Sequence, residues 1–237
     1  MKTDRRHDRR AFSIDEFRWF LATTEKGVYR FGMPGAERAL LYRLAVETGF
    51  RRGELASLTA DSFELDGADP GVTVSAKAAK ARRSRRAPLR AELASQIREH
   101  LKGKMPGVAV FRVPPHEHSA KMIKADLESA RTKWLDTAPS TVVREEREKT
   151  NFLRYEDDGG RFLDFHALRH TRGVWLFEHY KAHPREVQEL MGVSSLALVD
   201  RYTRSFRLTD AGMVERGPDL SAPPEAAEKS KAASASA

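Results

Sequence analysis

The sequence predicts a mainly α-helical chain carrying one small antiparallel β-hairpin, an α+β class. Three observations carry this. Apolar residues recur at helical spacing in segment after segment, as in Leu40, Leu41, Leu44, Ala45 and Thr48. Strand-like alternation is confined to Val72-Thr73-Val74 and a return segment ending at Ala87-Pro88-Leu89. And 237 residues with 40% hydrophobic and 32% charged side chains can fold around a core while keeping a heavily charged surface.

The first ten residues hold five basic and two acidic side chains, so residues 1–11 read as a solvated, flexible basic arm. Ser13-Ile14-Asp15-Glu16 has the form of a capping box and opens a helix through Leu21. Gly27 to Gly35 is loop, the next helix stops at Gly49, and a short one covers Arg52 to Leu58. Asp66-Gly67 turns the chain into the hairpin. Helices follow over Ala91 to Leu101 and Ser119 to Trp134, separated by a loop around the apolar piece Val108 to Phe111. Residues 138–162 are polar, contain Pro139, Gly159 and Gly160, and read as an irregular excursion. Three more helices run from Phe165 to about Tyr180, Pro184 to Met191 and Ser195 to Arg204; Pro184 suits a first turn and Gly192 a stop. From Pro218 to Ala237 there are seven alanines, four serines and three prolines, a composition unable to bury a core. The expected organisation is an arm over 1–11, one domain over 12–210 and a disordered tail over 211–237.

Charge and composition narrow the function. Lysine and arginine number 42 against 34 acids, a net charge of +8, which favours a polyanionic partner, nucleic acid before membrane. There is no cysteine, so disulfides, thiol catalysis and cysteine-ligated zinc are excluded. No apolar run approaches the roughly 20 residues of a membrane span, and the N-terminus lacks a signal peptide's apolar stretch. A cytoplasmic, nucleoid-associated protein is expected.

Four segments carry potential chemistry. In Thr48-Gly49-Phe50-Arg51-Arg52-Gly53-Glu54-Leu55 an arginine sits at the junction of two helices, where unpaired N–H groups and the helix dipole favour an anion. The plainer reading is a surface bridge from Arg51 or Arg52 to Glu54 or Glu47. Lys77 to Arg86 holds six basic residues in ten (Lys77, Lys80, Arg82, Arg83, Arg85 and Arg86) and no acid, a repulsion that phosphates would relieve. In His166-Ala167-Leu168-Arg169-His170 the three polar side chains share one helix face. A metal could use the two histidines with Asp164, but Ala167 stands where a zinc protease would place its glutamate, so no metal is expected. Two imidazoles around a guanidinium suit an oxyanion that also needs proton transfer. The fourth segment runs from Val187 to Ser195 and on to Asp200-Arg201-Tyr202-Thr203; taken alone, Tyr202 is a packing residue.

Together, in this order, these segments resemble the catalytic domain of the tyrosine recombinases, the phage integrase family. The family's threonine-glycine-x-arginine-x-x-glutamate-leucine is met at Thr48 to Leu55, which implies Arg51 as the first catalytic arginine and Glu54 in support. Its hairpin lysine, eight residues before a proline-leucine, falls on Lys80, with Lys77 as the fallback. The histidine-x-leucine-arginine-histidine signature gives His166 and Arg169, with His170 in support, and the arginine-tyrosine-threonine context gives Tyr202 as nucleophile. The resemblance covers nearly all of residues 12–205 and implies the DNA breaking-rejoining fold.

Two departures stand out. The family's second histidine, sometimes tryptophan, nine residues before the tyrosine is here Val193, which has no hydrogen-bond donor. The family also implies a helical core-binding domain ahead of the catalytic one, and residue 1 falls where the catalytic domain is expected to start, so a truncated form and a naturally minimal member are both expected readings.

The resemblance implies transfer of a DNA phosphodiester onto Tyr202, without metal, ATP or other cofactor. Arg51 and Arg169 would hold the non-bridging oxygens, His166 would handle the proton, and Lys80 would protonate the leaving 5′ oxygen. It implies double-stranded DNA as partner, contacted by Lys77, Arg82, Arg83, Arg85 and Arg86, and self-association on DNA as a dimer or tetramer. Two other readings remain: a DNA-binding regulator weakened or inactivated at Val193, and a relaxing enzyme of the type IB topoisomerase kind.

Overall fold

A computed structural model describes residues 8–79 and 82–203. Residues 1–7, Lys80, Ala81 and everything from Arg204 on lie outside the described residues, and with them the tail and the expected domain end near 210. The elements run α1 (Ile14–Glu25), α2 (Gly35–Thr48), α3 (Arg52–Ala56), β1 (Phe63–Glu64), β2 (Gly71–Val74), β3 (Arg85–Pro88), α4 (Ala91–Leu101), α5 (His116–Asp136), α6 (Thr141–Glu148), α7 (Phe165–Glu178), α8 (Pro184–Met191) and α9 (Leu196–Thr203).

The capping box forms as expected: the Ser13 side chain accepts from the Glu16 backbone N–H at 3.1 Å, and Glu16 accepts from the Ser13 N–H at 3.0 Å. The helix it opens runs four residues past Leu21, because Phe17, Phe20 and Thr24 continue one buried stripe. That stripe packs on α2 and α5, and α2 in turn packs on α7. Phe12, Phe20, Tyr42 and Phe165 chain their rings through this layer at centroid spacings of 4.8 to 6.1 Å. One polar island lies within it. Arg38, wholly buried, donates to both carboxylate oxygens of Asp126 at 2.8 Å, and the Tyr42 hydroxyl donates to Asp126 at 2.9 Å.

The β-element is a three-stranded antiparallel sheet in the order β1-β2-β3, pairing Phe63 with Val72 and Val72 with Ala87. The first strand is two residues long, too short for alternation to reveal. A second correction concerns the polar excursion: it contains α6, capped by Ser140 accepting from the Val143 N–H at 3.3 Å. With no buried residue, α6 has no apolar period; Arg147 stacks over the Trp134 ring at 4.9 Å instead.

The third correction concerns the arm. Its last residues are laced to the domain, not solvated. The Asp8 carbonyl accepts from the Phe162 N–H at 2.9 Å, and Phe12 donates to the Thr171 hydroxyl at 3.0 Å. Arg9 clasps Asp164 with contacts of 2.7 to 2.9 Å, and Arg10 pairs with Glu16 at 2.9 Å. The charge run that looked solvated by composition finds carboxylates brought close by folding. Among the described residues, no helix is long and apolar enough to cross a membrane.

Candidate active site

The site is built where α2, α7 and α8 end or begin. Gly49 closes α2 in the left-handed conformation (φ 64°), its N–H returning to the Ala45 carbonyl at 2.9 Å. A β-carbon there would be strained by that backbone and would also meet the Met191 sulfur at 2.9 Å, so only glycine fits. The turn delivers Arg51 to the start of α3. Its guanidinium meets Glu54 at 3.0 Å, and its backbone N–H is taken by the other Glu54 oxygen at 2.8 Å. The bridge that the sequence offered as the plain reading therefore exists, and Glu54 is buried enough to be more than a surface partner. Burial pushes the Glu54 carboxyl up, but the Arg51 hydrogen bonds with the Arg85 and Arg51 charges outweigh it and leave it below its usual value.

Asp164 caps α7, accepting from the Ala167 N–H at 2.9 Å, and so fixes the helix that carries His166, Arg169 and His170. Arg169 is buried, 3% exposed. Its two terminal nitrogens donate to the backbone carbonyls of Gly49 and Met191, one in the turn before Arg51 and one in the turn before Val193. Burial lowers its pKa, and the nearby Tyr202 opposes that only in part. Tyr202 itself, on α9, is 8% exposed and lies across Gly173 of α7, where a β-carbon would overlap its ring. The His170 ring flanks Tyr202 at 5.6 Å between centroids.

The two histidines differ in exposure but agree in charge state. His166 keeps an exposed edge, whereas His170 is half-buried. Desolvation, then the charges of Arg9, Arg169 and Arg51, bring His166 down to about 4 against the opposing Asp164. Desolvation and Arg9 bring His170 to about 4 as well. Both are neutral at neutral pH, the form in which an imidazole can accept a proton.

The expected site residues thus divide. His166, Arg169 and His170 share α7, Tyr202 packs beside His170, and Arg169 reaches the turn that leads to Arg51, whose guanidinium pairs with Glu54. Val193 follows the α8 stop at Gly192, half-buried against the small apolar cluster of Val174, Val187, Met191 and Val199. Lys80 lies outside the described residues. Lys77, Arg82 and Arg83 are exposed at the hairpin tip. Arg85 and Arg86, expected to face DNA, both have carboxylate partners within the chain. Arg85 turns inward to Glu54 at 3.3 Å, and Arg86 pairs with Asp69 at 2.9 Å and Glu64 at 3.5 Å. The local run holds no acid, but neighbouring elements supply three. Sequence reasoning missed Gly173, whose only signal is a glycine inside a helical pattern, and Arg9, which gives none.

Comparison with known proteins follows the same lines. A model of the phage integrase family matches residues 15–208, a span that includes Arg51, His166, Arg169 and Tyr202. No curated protein matches the sequence. Among solved structures, the XerH site-specific recombinase bound to difH substrate in a pre-cleavage complex aligns with a TM-score of 0.63 at 18% identity, covering 90% of this chain and 55% of that one. The Tn1549 transposon integrase in complex with circular intermediate DNA aligns at 0.61 and 13% identity, covering 91% and 67%. The catalytic domain of bacteriophage HP1 integrase aligns at 0.52 and 17% identity, covering 90% and 98%. This chain spans about half the length of the XerH recombinase. At these identities the likeness is one of fold, a mostly helical catalytic domain with a small antiparallel sheet. The family match over most of the sequence goes further: the chain belongs to the phage integrase family.

Proposed function

We propose that this chain is the catalytic domain of a site-specific DNA recombinase, cleaving and rejoining double-stranded DNA through a 3′-phosphotyrosyl intermediate without metal or ATP. The Tyr202 oxygen attacks the scissile phosphorus, its proton passes to His166, and the bond to the 5′ oxygen breaks as Lys80 protonates it. A free 5′ hydroxyl and a phosphotyrosine ester result. Bond energy is conserved in that ester, so a 5′ hydroxyl from another strand can reverse the step. An unperturbed tyrosine is phenolate in only about one molecule in a thousand at neutral pH, so a base and a cationic field are both required. Arg51 and Arg169 supply the field as fork donors to the non-bridging oxygens.

The observation that carries this reading is the packing of Tyr202 of α9 against α7, its ring 5.6 Å from that of His170 and over Gly173, on the helix that also carries His166 and Arg169. Partners are double-stranded DNA, met by Lys77, Arg82 and Arg83 at the hairpin tip, and further copies of the chain assembled on it. Val193 favours a second reading, a regulator with weakened catalysis. Loss of one transition-state donor costs about 10²- to 10³-fold, which slows such an enzyme without silencing it.

The test is adduct formation on a nicked suicide duplex. The native chain becomes covalently linked, whereas Tyr202→Phe binds the duplex equally and forms no adduct, since only the hydroxyl is lost. Adduct from the phenylalanine variant would remove Tyr202 as nucleophile. No adduct from the native chain would favour the regulator.

A further inference from the structure

Arg85 heads β3, at the base of the hairpin whose tip carries the exposed Lys77, Arg82 and Arg83. Its side chain is 15% exposed and runs into the protein. One terminal nitrogen donates to the Leu190 carbonyl and, at 3.4 Å, to that of Thr48; the other reaches Glu54 at 3.3 Å. The guanidinium carbon stands 4.5 Å above the Phe50 ring, and the side chain lies against Gly192, where a β-carbon would come within 3.1 Å of it.

These partners are not scattered. Glu54 is the carboxylate that holds Arg51. Thr48 and Leu190 each precede a residue, Gly49 and Met191, whose carbonyl receives Arg169. Arg85 and Arg169 therefore hold the same two turns, and of the two it is Arg85 that brings in the hairpin. Burial, with the charge of Arg169 next, brings the Arg85 pKa to about 10, still fully charged at neutral pH. Arg51 and Arg85 thus share the one carboxylate of Glu54, while Arg169 is held by carbonyls.

We infer that Arg85 is a positioning residue: it ties the hairpin stem to the turns at residues 48–54 and 190–193, and so sets Arg51 and Arg169 without itself touching DNA. This rests on the recombinase reading for its consequence in catalysis, but the tie itself is testable apart from it. Its side chain is turned away from the exposed tip and spreads three donors over Leu190, Thr48 and Glu54, a planar fork that the point charge of a lysine does not reproduce.

Three measurements on Arg85→Gln, Arg85→Lys and the tip variant Arg83→Gln decide it. Amide exchange at residues 48–54 and 190–193 of the DNA-free chain rises about tenfold in both Arg85 variants and is unchanged in Arg83→Gln. The slope of log affinity against log salt falls by about 0.9 in Arg83→Gln and stays at the native value in Arg85→Gln. Single-turnover adduct formation at saturating DNA drops about ten- to a hundredfold in both Arg85 variants, because a displaced arginine no longer meets the phosphate. If glutamine prevents folding, the lysine variant carries the same readouts. An Arg85→Gln slope reduced by about 0.9 with quiet exchange at the two turns would overturn the inference in favour of a DNA contact, as would full activity in Arg85→Lys. Raised exchange in a chain whose native form makes no adduct upholds the tie and removes only the recombinase reading.

Discussion

Burial beside the Arg9 guanidinium holds the half-buried His170 neutral to about pH 4, and that has a thermodynamic consequence. Desolvation leads, the Arg9 charge adds to it, and Asp164 opposes them. Between about pH 4 and 6.5 the unfolded imidazole takes up a proton that the folded one refuses, so the unfolded state binds more protons there. Stability falls as pH drops through that window. Glu54 and Asp157, whose pKa values lie below their ordinary ones, weaken the fold only further down, so the upper part of the window belongs to the histidine. The melting temperature is therefore expected to decline from pH 6.5 toward pH 5 in the native chain and to decline less in His170→Gln. A thermal series at constant ionic strength checks this, and parallel curves would mean that His170 titrates normally in the folded chain.

Between elements, the contact that matters most for the proposed chemistry is α7 against α9. Tyr202 can lie over α7 only because Gly173 has no β-carbon. Gly173→Ala raises helix propensity by about 1 kcal/mol but forces the ring away, an overpacking cost of about 1–3 kcal/mol. The two nearly offset in stability and do not offset in geometry. The expected outcome is near-native melting and duplex affinity with single-turnover adduct formation down about a hundredfold, since a misplaced nucleophile is penalised far more than the fold. An unchanged rate would show that Tyr202 reaches the phosphate from elsewhere. The hairpin is the other decisive element. Its stem reaches Glu54 through Arg85, and Lys77, Arg82 and Arg83 at its tip are exposed.

Across the whole molecule, the net charge of +8 and the exposed tip suit the DNA contact proposed above. Lys77, Arg82 and Arg83 are the described tip residues free to face phosphates. Replacing all three with glutamine is expected to lower the log–log salt slope by about 2.7 and to weaken duplexes of unrelated sequence equally, because phosphate contacts carry no base information. A binding titration from low to moderate salt measures it. A loss confined to one duplex sequence would assign the tip to base recognition instead.

Local signals were enough for α1 to start at Ser13, for α2 and α8 to stop at Gly49 and Gly192, and for the motif residues Arg51, His166, Arg169 and Tyr202 to be named, because caps, glycine stops and short motifs act over a few positions. β1 and α6 escaped because a two-residue strand and an uncovered polar helix have no hydrophobic period. Charge partners escaped for a different reason. Arg9 lies 155 positions from Asp164, and Arg85 lies 31 from Glu54 and 105 from Leu190. No count along the chain reports a carboxylate or carbonyl delivered from another element. Composition could establish that the chain is basic and suited to a polyanion. Only the tertiary structure decided which arginines are paired within the protein and which stay exposed, since desolvation and pairing depend on distance in space.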